Sequence, residues 1–414
     1  MRAIIWLVLL FAVAVVSATA FGRNDALVTF YWAPWRLDLS LNLFLIALVL
    51  GFLTIYAFVN GVGALVRLPA RAREWRNAKR ERLAQQALRE ALSLYFGGRY
   101  SRAHKAAQRA LAIQAETRGI DDDREFTMLG ELLAAGSMHR LQDRARRDDH
   151  LARALGAGGS PATRAAEEGA RLLAAEWALD DRDAERALQL IGELAPGVAR
   201  RTQALRLKLQ ASQLALQPLD ALKTARLLAK HQAFSPGAAK GLLRSLACDA
   251  LDSAYDADQL RRVWQQLEVA DRRDPFVAAH AAQRMGVLGG RAEARAWLRP
   301  FWDHIAERSE DERAVLADAL VSCIEGIEPE WLPRLEAAGR LQPRDAALSH
   351  AIGRALAAVQ LWGKARQQLE VSAIDATLPA VQRRDAWLRL AEIAEREADL
   401  ERATECYRQA ALVA

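Results

Sequence analysis

Cysteine is scarce in this 414-residue chain: Cys248, Cys323 and Cys406 lie far apart, and no CxxC occurs. That spacing excludes a disulfide framework and a paired-thiol metal site. It suits a reducing compartment, with the three thiols as packing residues. Glycine and proline are also few, at 24 and 12, and β-branched runs are rare outside the N-terminal region, so a strand-rich soluble fold has little to be built from. His104, His139, His150, His231, His280, His304 and His350 include no HExxH pair and no Cys at ligand spacing. There is no GxSxG and no P-loop. Asn60-Gly61-Val62-Gly63 is only a fragment of a glycine-rich loop, without a preceding strand. The many Asp and Glu residues read as i,i+4 partners of Arg on solvated helices. The sequence therefore reads as a non-enzyme with no metal site.

What is present is helix-forming composition. Ala, Leu, Arg, Glu and Gln carry much of the soluble part, which reads as all-α. The chain is organised around Leu41 to Val66, LNLFLIALVLGFLTIYAFVNGVGALV, long enough to cross a bilayer and free of charge. RLPARAREWRNAKRER follows directly, a stop-transfer pattern that places everything after it on the cytoplasmic side. The net charge of +6 and pI near 9.4 are explained by this collar, so nucleic acid is not an expected partner. Anionic lipid headgroups are, through Arg67, Arg71, Arg73, Arg76, Lys79 and Arg80.

Residues 3–21, AIIWLVLLFAVAVVSATAF, form an earlier apolar run. It reads as a retained first span, with a cleaved signal peptide as the alternative because Ser17-Ala18-Thr19-Ala20 offers small residues. Residues 1–66 are thus expected to form a membrane hairpin, with spans at 3–21 and 41–66, a short external loop at 22–40 and both termini cytoplasmic. The loop suggests two short extended stretches joined by a turn at Ala33-Pro34. Its Tyr31, Trp32 and Trp35 serve either a partner or an interfacial aromatic belt. Residues 67–86 read as a basic juxtamembrane helix.

From 87 to 414 a plan recurs. ALREALSLYFGGRYSRAHKAAQRAL (87–111) breaks at Gly97-Gly98 and starts a second helix with Tyr100 and Ala103. The same arrangement returns at 171–194 (Ala184, Ala187), more loosely at 278–298 (Gly289, Ala294), at 348–372 (Trp362, Ala365) and at 387–411 (Leu400, Ala403). These segments resemble tetratricopeptide repeats, with Trp387, Leu390, Ala391, Ala403, Tyr407 and Ala410 the closest match and Ile352, Gly353, Leu356, Ala365 and Leu369 next. The resemblance implies stacked helix pairs forming an α-solenoid after two transmembrane helices. It also implies a concave partner-binding face that carries His350, Arg354, Glu392 and Glu395, with Gln283 further out. An unrelated helical bundle is the alternative.

LSLNLF, the RLPARAREWR run and GGRYSRAHKAAQRAL together resemble the HemY family, inner-membrane tetratricopeptide proteins of proteobacteria associated with late haem biosynthesis. The likeness is strongest over residues 1 to about 115. It implies a scaffold or adaptor that organises haem-pathway enzymes at the cytoplasmic face of the bacterial inner membrane, with protein partners on the repeats and no cofactor of its own. The family has no agreed catalytic residues to transfer. A flavin-dependent protoporphyrinogen oxidase shares the name, but it needs a GxGxxG near its N-terminus, where this chain has a membrane helix. Two other readings stay open. One is a haem- or porphyrin-binding carrier. The other is an envelope adaptor resembling the lipopolysaccharide assembly regulator, whose paired CxxC motifs are missing here.

Overall fold

Alternating side chains between Leu27 and Ser40, interrupted by Ala33-Pro34, build the one pair of strands among the described residues: β1 (Leu27–Trp32) and β2 (Trp35–Ser40), antiparallel. Leu27 faces Ser40 and Trp32 faces Trp35 across a turn with a cis Ala33–Pro34 bond. The structure is a computed structural model in which residue 13, residues 26–117 and residues 123–413 are described, side chains at 63–71 and 73 excepted. The expected first span at 3–21 lies outside the described residues except for Val13, which is helical. Among the described residues one helix is long and apolar enough to cross a membrane, over Leu41–Val62. This helix is the second of the two expected spans.

The chain divides into two compact units, residues 1–163 and 164–414. In the first, Ser40 ends β2 and caps α1 (Leu41–Phe96), its hydroxyl accepting from the Leu43 amide. Helix α1 has 56 residues, about 84 Å at 1.5 Å per residue. The apolar span, the basic collar and the first repeat helix are thus one continuous helix. No helix break falls at 66 or 86, and Pro69 lies inside the helix. Apart from Pro69, collar and repeat helix share the same strong helix formers, and the helix runs on to Gly97-Gly98. Then come α2 (Tyr100–Ala115), α3 (Arg124–Arg140) and α4 (Arg144–Gly156), each packed on the one before. Ala91, Ala106, Ala107, Leu133 and Ala134 form a small core with Leu88, Leu94 and Tyr95 against it.

The second unit holds α5 (Arg164–Asp180), α6 (Ala184–Gly192), a one-turn α7 (Pro196–Ala199), α8 (Thr202–Leu214), α9 (Pro218–Lys230), α10 (Pro236–Asp252), α11 (Ala257–Gln266) and a one-turn α12 (Val269–Arg272). It continues with α13 (Pro275–Val287), α14 (Arg291–Trp302), α15 (Glu310–Ser322), α16 (Leu332–Leu341), α17 (Ala346–Ala358), α18 (Trp362–Ile374), α19 (Ala380–Arg396) and α20 (Leu400–Leu412). Most consecutive helices pair as hairpins, and the first helices of successive pairs, α10, α13, α15, α17 and α19, pack on one another. A single apolar core runs from Leu205 to Cys406. The stretch that matches the repeat pattern loosely by sequence is built from such pairs too.

One turn generates the pairs. Gly98, Gln142, Arg182, Leu216, Gly289, Gln360 and Ala398 all have positive φ and end a first helix. The next residue sends its amide back to the carbonyl five positions earlier, as in Arg99→Leu94, Asp183→Ala178 and Asp399→Ala394. This is a Schellman closure, which satisfies a carbonyl orphaned by the helix end. Where that next residue is Asp143, Asp183 or Asp399, its carboxylate caps the second helix. Five residues after each left-handed position stands a buried small side chain: Ala103, Ala187, Ala221, Ala294, Ala365 and Ala403. There the two helices can approach closely. The exception is Arg147, which fills that place in the second pair of the first unit and is itself buried.

Candidate functional site

Because first helix stacks on first helix in the second unit, their exposed faces form one wall. The helix entries at 342–347 and 377–382 close its far side. Between them lies an open groove of about 850 Å³, within the range of ligand clefts. Phe276, Val315, Leu378 and Pro379 provide its apolar surface. Arg244 donates two bonds to Asp274, at 3.0 and 2.8 Å, while its guanidinium lies 3.8 Å over the Phe276 ring. Arg313 bonds Asp345 at 2.6 Å and the Arg308 carbonyl at 2.6 Å. Asp318 accepts from two amides, Gln283 at 2.8 Å and Gln382 at 2.8 Å. The second of these bonds spans 64 residues and ties α15 to the start of α19. The groove's shape is therefore held by charged groups that are already paired, while exposed Arg344 and Glu310 on its lining remain available. His280 lines it as well, its Nε2 2.9 Å from Asp252.

Of the residues expected on a concave face, Gln283 lines this groove. His350 and Arg354 are brought together elsewhere. His350 is buried, with Nε2 2.8 Å from Asp385, and Arg354 donates to the same carboxylate. Burial works to raise the Asp385 carboxyl, but the His350 bond and the Arg354 charge outweigh it and hold its pKa at about 2. The pair thus clamps α17 to α19. Glu392 is exposed and accepts from Arg389, and Glu395 accepts from the Tyr407 hydroxyl at 3.0 Å. In the collar, Lys79 sits 5.5 Å over the Trp75 ring, Arg76 bonds its own helix at the Ala72 carbonyl, and Arg80 reaches the Glu116 carbonyl at 3.2 Å. Arg67, Arg71 and Arg73 have side chains outside the described set.

The first unit holds a polar cluster that motif spacing did not reveal. His104 Nε2 lies 3.0 Å from His150 Nε2, and His150 Nδ1 lies 2.6 Å from Glu131, which also accepts from Arg153 at 3.2 Å. All three members of this chain are buried, on three different helices. His150 Nδ1 is shared, with the Glu131 carboxylate at 2.6 Å and the Arg153 guanidinium at 2.7 Å, while its Nε2 faces His104. Burial, then the His150 charge, lowers the His104 pKa. Helical spacing was the available signal: His104, Ala107 and Leu111 follow one stripe, as do Arg147, His150 and Ala154.

Residues 27–120 match the family model described as HemY protein N-terminus. No curated protein matches the chain. Among solved structures, Naa15/Naa10 bound to HypK-THB is similar at 14% identity over 78% of this chain and 57% of that chain, with a TM-score of 0.27. This chain thus spans little more than half of it. The P58(IPK) TPR domain is similar at 13% identity over 79% of this chain and 98% of that chain, with a TM-score of 0.23. At such low TM-scores neither likeness decides the fold or function of this chain.

Proposed function

We propose that this protein, which belongs to the HemY family by its residues 27–120, is a non-enzymatic, membrane-anchored adaptor. Its helical array receives protein partners at the cytoplasmic face of the bacterial inner membrane, and late haem-pathway enzymes are the partner class. The observation that carries this reading is the groove of about 850 Å³ on stacked first helices, in a chain whose α1 includes an apolar stretch of 22 residues, Leu41–Val62. Tethering a docking surface to a membrane raises the effective concentration of whatever docks there, which favours direct transfer of reactive porphyrins.

The test is proximity labelling in cells from a tag after Ala414, comparing the natural chain with Asp318→Lys and Arg344→Glu. The adaptor reading expects haem-pathway enzymes among the labelled proteins and their loss in both groove variants, at unchanged abundance in the membrane fraction. Absence of those enzymes, or their equal labelling in the variants, overturns it. A second reading, porphyrin binding in the same groove, has His280 in its favour, oriented by Asp252. Titrating the detergent-solubilised protein with haem tests it, and a flat Soret region removes it.

A further inference from the structure

The hairpin ahead of α1 has two unlike faces. Side chains alternate along a strand, and directly paired residues share a face. The register therefore places Thr29 with Asp38 and Tyr31 with Arg36 on one side. That side is internally satisfied: the Thr29 hydroxyl donates to Asp38 at 2.6 Å, Arg36 Nε donates to the same oxygen at 3.1 Å, and the Arg36 guanidinium lies 5.6 Å over the Tyr31 ring. The opposite side carries Val28 with Leu39, Phe30 with Leu37, and Trp32 with Trp35. It has no charged or hydroxyl side chain. Its outer members are open, with Trp32 83%, Trp35 77% and Leu37 57% exposed. A lone two-stranded hairpin is marginal in water, and such a face requires cover.

The join to α1 points to what covers it. Ser40 is the last residue of β2 and Leu41 the first of α1, so no linker separates the hairpin from the apolar stretch. The Leu41 amide donates to the Ala26 carbonyl at 2.9 Å, tying the hairpin's open end to the helix. Phe30, from the apolar face, meets Phe44 of the first helical turn with ring centroids 5.6 Å apart. The apolar face is thus continuous with the lipid-facing surface of the helix. Two Trp residues at its far end match the side chain enriched at the boundary between headgroups and acyl chains.

We infer that the hairpin is an interfacial anchor: it lays its Val28, Phe30, Trp32, Trp35, Leu37 and Leu39 face into the bilayer surface at the external end of α1 and keeps Thr29, Asp38, Arg36 and Tyr31 toward water. The inference rests on α1 crossing the membrane. Its ligand is the lipid interface, and its effect is to fix the depth and tilt of α1 from outside.

The test uses the full chain in phosphatidylethanolamine–phosphatidylglycerol proteoliposomes, with nitroxide labels at Leu37→Cys on the apolar face, Tyr31→Cys on the polar face and Leu53→Cys in the apolar stretch. The unsubstituted chain, carried through the same labelling, is the blank. Collision with oxygen is compared with collision with a water-soluble nickel chelate. The expected result is an oxygen-to-nickel ratio several-fold higher at Leu37→Cys than at Tyr31→Cys, approaching that at Leu53→Cys. Equal, water-like ratios at both hairpin sites, with a lipid-like ratio at Leu53→Cys, overturn the anchor while leaving the span intact. Shielding from both reagents at Leu37→Cys also overturns it and assigns the face to protein contact. A water-like ratio at Leu53→Cys overturns the membrane reading itself and the anchor with it.

Discussion

His104 and His150 face each other through their Nε2 atoms at 3.0 Å, inside the first unit, with Glu131 holding the far nitrogen of His150. Burial disfavours the His104 cation and lowers its pKa, and the His150 charge adds to this. The unfolded chain therefore binds more protons than the folded one as pH falls below about 6.5. The stability that depends on neutral His104 is complete above that pH and is lost as pH falls through it toward the folded value. Urea unfolding followed between pH 7.5 and 5.5 should show a falling midpoint in the natural chain and a flatter profile in His104→Gln. The Glu131 carboxyl acts in a lower window. Burial pushes it up, but the His150 bond and the Arg153 charge outweigh burial and leave it below its ordinary value. Its contribution is lost only as pH falls below about 4.5.

Gly353 in α17 has no room for a methyl group, since a Cβ there would lie 2.7 Å from Leu369 Cγ in α18. The neighbouring Leu369 amide nitrogen would be 3.2 Å away, so side-chain rotation alone does not relieve the clash. Gly353→Ala should destabilise the second unit by about 1–3 kcal/mol, read as a lower thermal midpoint. Gly363→Ala, with nothing within 4 Å of its Cβ, is the control and should change little.

Arg295 is 3% exposed and uses its guanidinium as a staple. It donates to the carbonyls of Cys323, Glu325 and Gly326 at 2.6, 3.0 and 2.8 Å, and to both Glu328 oxygens at 2.7 and 3.0 Å. Arg295→Ala should cost about 3 kcal/mol, because it leaves buried acceptors without donors. Arg295→Lys should recover little of that loss, since an ammonium cannot reproduce the planar fork. Denaturant titration of both variants checks the pair.

The free cysteines should be slow nucleophiles. Burial, and then the Asp252, Asp249 and Asp274 charges, push Cys248 up to about 11, and burial pushes Cys323 up to about 12. Burial also raises Cys406. At pH 8 Cys248 would be about one part in a thousand ionised, and only the thiolate attacks. Iodoacetamide at pH 8 should modify all three slowly in the folded chain and rapidly in denaturant, read by mass spectrometry. Rapid modification of folded Cys248 would contradict the raised thiol pKa that its half-buried, acidic surroundings impose.

Much of this organisation is a consequence of short-range patterning that can be read along the chain. An uncharged stretch from Leu41 long enough to cross a bilayer, a basic flank after it, and a small residue a fixed distance after a helix break are all local, and each has a local cause. Lipid excludes charge, and an Ala such as Ala365 lets paired helices close. The same locality explains why span, collar and repeat helix run together within α1: collar and repeat helix share helix-forming composition, so no break separates them. Which polar residues meet is another matter. Gln382 reaches Asp318 across 64 residues, Asp385 joins His350 and Arg354 on one carboxylate, and Glu131, His150 and His104 converge from three helices. None of these contacts follows from spacing, because each depends on how far one helix pair is rotated against another. That rotation is set by the summed packing of the core, so tertiary structure alone decided the groove and the buried histidine pair, while the sequence by itself determined that there would be helix pairs to form them.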